Sequence, residues 1–365
     1  MAATVNLEDA VQGCLLGTAF GDALGLAYEG MSRKRIARRF KMPLRYHLLP
    51  GNRGMVSDDT EHQFFVAQAL LKNGLHDAPR ATRNLAWRLR WWLAGIPAGI
   101  GLATLRSILK LWVGIPPHRS GVFSAGNGPA MRSALPGVIF HDDPNALEAH
   151  VTAFTRLTHT DPMALEGALL IARVAAWSVT HETPSAAAIT LPEQASPEQA
   201  LPEQAGESIL IRHVRMAMRA VENHESLETF ARSIGCEQGI SGFMGHTVPA
   251  VIHVWLRHGH DVENGFRELI EAGGDTDSTA AIYGSLAGIR MPPDQWPEAW
   301  RTGLLEFPRG IRWLETLARK LAGMKANDLP SSTWPSYPIP LIWVRNLLFV
   351  LTVLTHGFLR LLPPY

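Results

Sequence analysis

"GCLLGTAFGDALGLAYEG", Gly13 to Gly30, places glycines at 13, 17, 21 and 25, each four residues apart. Residues spaced by four share one face of a helix. The stretch therefore reads as a helix with a smooth stripe along which a second backbone can approach closely. It is too short and too polar for a bilayer, because Asp22 lies beside the stripe. A tightly packed internal helix is expected, with Asp22 satisfying a nearby backbone or hydroxyl group. Other segments repeat the helical period: "EHQFFVAQALLKNGL" (61–75), "MALEGALLIARVAAW" (163–177) and "VPAVIHVWLRHG" (248–259). Their apolar residues recur at steps of three and four, and alternating runs are scarce. The expected fold is all-α, with Gly- and Pro-rich loops.

The chain has 365 residues, 46% of them apolar, enough for a sizeable core. A formal charge of +1 argues against a dedicated nucleic-acid binder. Cys14 and Cys236 are the two cysteines and lie far apart, so neither a disulfide framework nor a zinc site is expected. The start, "MAATVNLEDA", lacks a basic region followed by an apolar stretch. The expected location is cytoplasmic.

Two segments differ from the rest. "LPEQASPEQALPEQA" (191–205) repeats Pro-Glu-Gln-Ala three times and has little to bury. It marks residues 184–207 as an expected disordered insertion in a helical domain spanning 1–330. Residues 331–365 form a proline-broken linker followed by "LIWVRNLLFVLTVLTHGFLRLLPPY". The longest uninterrupted apolar run there falls far short of the ~20 residues that span a bilayer. On a helical projection Arg345, Thr352, His356 and Arg360 share one stripe, with Trp343 and Tyr365 near the ends. Two readings stand: an interfacial amphipathic helix in peripheral contact with a membrane, or a helix docked on its own domain or a second subunit.

Chemistry concentrates at two helix starts. "GGDTDST" (273–279) and "VSDDTEHQ" (56–63) each place hydroxyls and two carboxylates just before an apolar helix. One such residue suffices as an N-cap, and Asp277 or Thr276 could cap a helix beginning near Ser278. Taken alone, either stretch leaves a cap and a metal site both open. Two such clusters converging would offer four carboxylates, hard ligands suited to Mg²⁺, Mn²⁺ or Ca²⁺ and to a pair of ions rather than one. His62 reads as a partly buried histidine. Glu29, before a glycine, reads as solvated. "SGVFSAGNGPAMRSA" (120–134) is a donor-rich loop entering a helix at Pro129, a pattern able to cradle phosphate. "LTHTDP" (157–162) sets His159 before a helix that Thr160 or Asp161 would cap.

Together, "GTAFGDALG" with "YEG", "SDDTE", "GNGPAMR", "THTDP" and "GGDTDST", in that order over roughly residues 8–325, resemble the ADP-ribosylglycohydrolase family. The resemblance implies a compact orthogonal multi-helix domain with a cleft holding two divalent cations, Mg²⁺ or Mn²⁺. By the same resemblance Ser57, Asp58, Asp59, Asp275, Asp277 and Ser278 are the metal ligands, Asp277 bridging both ions. Ser124, Gly126, Asn127 and Gly128 hold the diphosphate, and His159 contacts the bound ADP-ribose. Asp58 or Asp59 assists deprotonation of the attacking water, and Glu29 is a general acid or base, or a gate. The implied substrate is an ADP-ribosylated protein or a small ADP-ribosyl compound, with arginine the first acceptor to test. Ser57 replaces the threonine of many members, and Ala125 stands where some carry an aromatic residue. Three rivals remain on sequence: a metal-dependent hydrolase of a phosphoester or another glycoside, an inactive ADP-ribose-binding relative, and a membrane-tethered binding module.

Overall fold

A computed structural model describes residues 4–40, 42–189, 207–259, 261–324, 335 and 339–359. Its longer helices are α1 (Leu7–Gly25), α2 (Asp58–Asn73), α3 (Ala78–Ala94), α4 (Leu102–Trp112), α5 (Pro144–Arg156) and α6 (Pro162–Thr180). They continue as α7 (Ile209–Glu222), α8 (Met244–His258), α9 (Val262–Ala272), α10 (Thr276–Ala287), α11 (Ile311–Ala322) and α12 (Ile339–Leu359). Among the described residues there is no strand, only isolated bridges. The fold is all-α, as expected.

The glycine stripe of α1 finds its backbone partner in α10. Gly13 faces Gly288, Gly17 faces Gly284, Gly21 faces Ala280 and Gly25 faces Thr276. Each step of four up one helix is a step of four down the other, so the pair is antiparallel. A methyl group at Gly17 would lie 2.0 Å from the Gly284 carbonyl oxygen. No side chain fits between these backbones, and both helices are buried along most of their length. The register brings the C-terminal end of α1 beside the acidic start of α10, where the Thr276 hydroxyl donates to the Gly25 carbonyl (2.8 Å).

Asp22 joins a third helix to this pair. Its fully buried carboxylate accepts from Ser57 N–H (2.9 Å), Thr60 N–H (3.1 Å) and the Thr60 hydroxyl (2.5 Å), all at the start of α2. The expected structural role of Asp22 is met. Both acid-rich helix starts are thus held against one half of α1.

The C-terminal helix lies on the domain with Arg345 and Asn346 turned inward. Arg345 is 1% exposed and donates to Glu306 (2.8 Å) and to the Val56 carbonyl (2.5 Å). The Asn346 amide donates to the Gly95 carbonyl (2.9 Å), and Phe349 packs with Leu26, Leu48 and Met55. Docking on its own domain, one of the two readings, is what this contact realises. Three helical stretches are long and apolar enough to cross a membrane, against the expectation for the first and last: Leu7–Tyr28 (mean hydropathy 1.3), which is buried inside the domain, Pro162–Thr180 (1.4) and Pro340–Leu359 (1.5). Arg360 and Tyr365 lie outside the described residues.

Both edges of the expected insertion, 184–189 and 207, are ordered. Ser185 caps a short helical turn at Ala186–Ala188, and Ala188 and Ile189 pack into the core. At the far side Glu207 pairs with Arg215 (2.7 Å) and Ser208 caps α7. The Pro-Glu-Gln-Ala repeats themselves lie outside the described residues.

Candidate active site

The two helix starts open onto one cleft of about 320 Å³. Its walls include Glu29, Asp58, Asp59, Ser124, Gly126, Asn127, Gly128, His159, Asp275, Asp277 and Ser278. Residues scattered over 250 positions of sequence therefore meet in one place, within the size range of ligand pockets. Ser57 sits one layer behind this wall.

The starts are built differently. At α2, Ser57 is the N-cap: its hydroxyl accepts from Asp59 N–H (3.4 Å) and donates to Asp59 Oδ2 (3.3 Å). At α10 the helix starts at Thr276, two residues before the expected point, and its N-cap Asp275 makes no side-chain cap bond. Neither Asp277 nor Thr276 is the cap. Asp275 Oδ2 instead accepts from the Asn127 amide (2.7 Å), which also donates to Thr247 (3.1 Å). Ser278 Oγ reaches across to Asp59 Oδ2 (3.2 Å), joining the two clusters.

Among the described residues no salt bridge reaches Asp58, Asp59, Asp275 or Asp277, whereas Glu61 nearby has two. Burial holds the Asp58, Asp59 and Asp277 carboxyls well above the usual carboxylate range. Neighbouring acids push further: Asp22 and Glu29 on Asp58, Asp58 and Asp22 on Asp59, Glu29 and Asp275 on Asp277. Asp59 Oδ1 is buried with no hydrogen-bond partner. Among the described residues no three His, Cys, Asp or Glu side chains close a ready-made cage. The donors are hard oxygens nonetheless, and Mg²⁺ keeps several waters rather than demanding an all-protein shell. The orphaned oxygen and the excess of buried carboxylate fit a divalent cation in this cleft.

The glycine-rich loop folds over His159. A Cβ at Gly126 or Gly128 would approach the imidazole to 3.2 Å, so the loop lies directly on the ring. His159 is 3% exposed, and its Nδ1 lies 2.8 Å from the Thr158 hydroxyl. Burial, then the nearby Arg132 guanidinium, pushes the imidazole down to about 3, leaving it neutral at physiological pH. Gly126 N–H donates to Ser124 Oγ (3.3 Å). The helix expected at Pro129 starts as a short 3₁₀ turn, Ala130–Arg132, followed by Ala134–Ile139. Asp161 caps α6, one of the two caps expected.

Glu29 is exposed at the cleft rim. Its loop is pinned by Gly30 N–H to the Gly274 carbonyl (2.8 Å) and by Gly274 N–H to the Met31 carbonyl (2.9 Å). Gly273 and Gly274 have φ of +77° and +85°, and a Cβ at Gly274 would lie 2.1 Å from the Ile240 carbonyl oxygen. The glycine pair of "GGDTDST" thus serves close backbone approach beside the acids. His62 is not only partly but fully buried, beside Arg132 (3.3 Å) and away from the cleft wall.

Other walls were not singled out in the sequence. Gly99 and Gly101 line the cleft from the α3–α4 connection, Leu102 and Thr104 from the first turn of α4, and Gly242 from the loop before α8. A Cβ at Gly242 would lie 2.7 Å from Asp275 Oδ2. The available signal was the glycine spacing of "GIPAGIGL" (95–102), where Gly99 takes φ +85°.

The family model for "ADP-ribosylglycohydrolase" matches residues 3–330. An uncharacterized protein of Archaeoglobus fulgidus is 31% identical, covering 86% of this chain and 96% of the relative. The ADP-ribosyl-[dinitrogen reductase] glycohydrolase of Rhodospirillum rubrum is 26% identical, covering 87% of this chain and 98% of its own length. A solved structure titled "ADP-ribosylglycohydrolase-related protein complex" superposes with a TM-score of 0.62 at 25% identity, over 87% of this chain and 98% of that one. The acid-lined cleft and a match over nine-tenths of the sequence agree: this chain belongs to the ADP-ribosylglycohydrolase family and is a hydrolase acting on glycosyl bonds.

Proposed function

We propose that this chain releases ADP-ribose from a modified arginine side chain of a protein, using two divalent cations, Mg²⁺ or Mn²⁺. The observation that carries the reading is one cleft lined by uncompensated carboxylates on one side and a glycine-rich loop over a neutral imidazole on the other. Asp58, Asp59, Asp275, Asp277 and Ser278 would hold the cations, with Ser57 supporting Asp59 from behind. Such ions, when bound, clamp substrate hydroxyls and lower the pKa of water.

The chain's own groups divide the remaining work. Backbone N–H groups at Ser124 and Gly128 take the diphosphate, as donor-rich turns do, with Gly126 giving the close approach and its N–H holding the Ser124 hydroxyl in place. Asn127 spends its amide on Asp275 and so fixes that loop relative to the acids. His159 offers Nε2 to the ligand without adding charge. Asp58, half-buried and facing the cleft, accepts the proton of the attacking water as the glycosidic bond breaks in an oxocarbenium-like transition state. The exposed carboxylate of Glu29 suits a guanidinium at the rim, which a carboxylate can bind through two parallel hydrogen bonds. That preference is why arginine is favoured over a neutral serine acceptor.

The test is release of free ADP-ribose from arginine- and serine-ADP-ribosylated peptides, with Mg²⁺, with Mn²⁺ and with chelator. Release from the arginine peptide that chelator abolishes is the expected result. Release from the serine peptide alone would overturn the acceptor assignment, and release unaffected by chelator would overturn the role of the cations.

A further inference from the structure

The C-terminal helix presents its greasy side outward. With Arg345, Asn346 and Phe349 turned inward, α12 leaves Trp343, Leu347, Leu351, Leu354 and Phe358 between 53% and 64% exposed. The face does not end with the helix. Trp343 shares a pocket with Trp87 and Trp91 of α3, and Trp91 stacks edge-on against Trp112 of α4 at 5.7 Å. Trp87, Trp91 and Trp112 are each 45–52% exposed. Four tryptophans and an aliphatic ridge thus form one continuous surface, larger in kind than the scattered apolar residues of ordinary surfaces.

The charge on these helices is one-sided. α3 carries four arginines and α4 an arginine and a lysine, while the one arginine of α12, Arg345, is buried and paired with Glu306; none of the three helices contains an aspartate or glutamate. The whole chain is nearly neutral at +1, so this excess is local. Arg90 lies over the Trp87 ring at 5.2 Å, putting a cation at the edge of the indole cluster. Indoles with apolar bodies and polar edges, flanked by arginine and lysine, suit the headgroup layer of a bilayer. A second copy of the same face would set cation against cation with no carboxylate to pair.

We propose that the face formed by α12 and the C-terminal ends of α3 and α4 docks on the surface of a bilayer containing anionic lipid. The helix lies in the interface and does not cross it, because withdrawing Arg345 would strip Glu306 of its buried cation. α4 runs from the cleft wall at Leu102 to the docking face at Trp112, so about 15 Å of helix at most separates the two. The enzyme would then meet modified proteins near the bilayer. The inference does not depend on the reaction.

The experiment is flotation of the full chain with vesicles of phosphatidylcholine alone and of phosphatidylcholine mixed with phosphatidylglycerol. The expected result is flotation with the anionic vesicles, weakened by salt and by at least about tenfold in Leu347→Glu/Leu354→Glu. Both leucines are exposed and outside the cleft, so that variant should melt like the wild type and keep its turnover of soluble peptides. Equal flotation with both vesicle types would overturn the anionic assignment. No flotation with either, or a dimer in sedimentation that the double variant dissociates, would overturn the proposal.

Discussion

Two sets of acids sit on the same turn of α2 and are treated in opposite ways. Glu61 is surrounded by cations: Arg309 pairs with it directly, Arg345 lies at 3.9 Å, and Trp92 donates at 2.8 Å. Burial alone would raise its carboxyl, but the two guanidinium groups bring it below the ordinary value. Asp58 and Asp59, three and two residues earlier, are raised, and their neighbours are more acids. The protein can neutralise a buried carboxylate when the position is structural. At the cleft it leaves the charge open, and a divalent cation from solution is the natural complement.

The contrast breaks most sharply on activity. Asp277→Asn should cost on the order of a thousandfold in turnover, the several kcal/mol that such a centre contributes. Full turnover in that variant, with and without chelator, would separate the acids from the chemistry. Glu61→Gln should instead damage the fold, by about 3–5 kcal/mol in urea unfolding, because it strands buried guanidinium groups. An unchanged midpoint would mean that the arginines find other partners.

Smaller effects sharpen the same comparison. Mg²⁺ or Mn²⁺ at a hundredfold excess over Kd should stabilise the wild type by about 2.7 kcal/mol and leave Asp59→Asn unmoved, as read by thermal melting. Without metal, Asp59→Asn should be more stable than the wild type by about 1 kcal/mol at neutral pH, since one repelling charge is gone. Asp59 has a raised folded-state pKa, so the penalty it imposes is present at high pH and fades as the wild type takes up the proton. The variant's advantage should shrink on acidification; a constant advantage would point to packing instead. Elsewhere His253, pushed by burial down to about 4, and His159 act in the other direction. Below their unfolded value of 6.5 the unfolded chain binds protons that the folded one refuses, so the stability these two histidines contribute should fall as pH drops from 6.5, and His253→Gln should flatten that part of the pH profile.

Local signals in the sequence carried much of this arrangement. The four-residue glycine spacing implied a backbone-to-backbone helix contact, and Gly284 of α10 with Gly288 just past its end supplies it. The two hydroxyl-carboxylate clusters were legible because each held more oxygen than a cap requires. Long-range choices were not. Nothing near Glu61 announces that Arg309 and Arg345, about 250 and 280 positions away, will neutralise it. Nothing in "GNG" shows that Asn127 will bond to Asp275. The tail's polar stripe was legible as a stripe, but which side met water depended on Glu306 and Gly95 waiting to receive Arg345 and Asn346.

The most direct test of the central claim is calorimetric titration of Mn²⁺ into chelator-stripped protein, in two buffers of different ionisation enthalpy. Saturable binding with release of protons is expected, because carboxyls raised by burial and mutual repulsion must give up protons to take a cation. Asp277→Asn should bind far more weakly. Absence of binding in the wild type, or equal binding in the variant, would contradict the claim that the cleft acids await a metal.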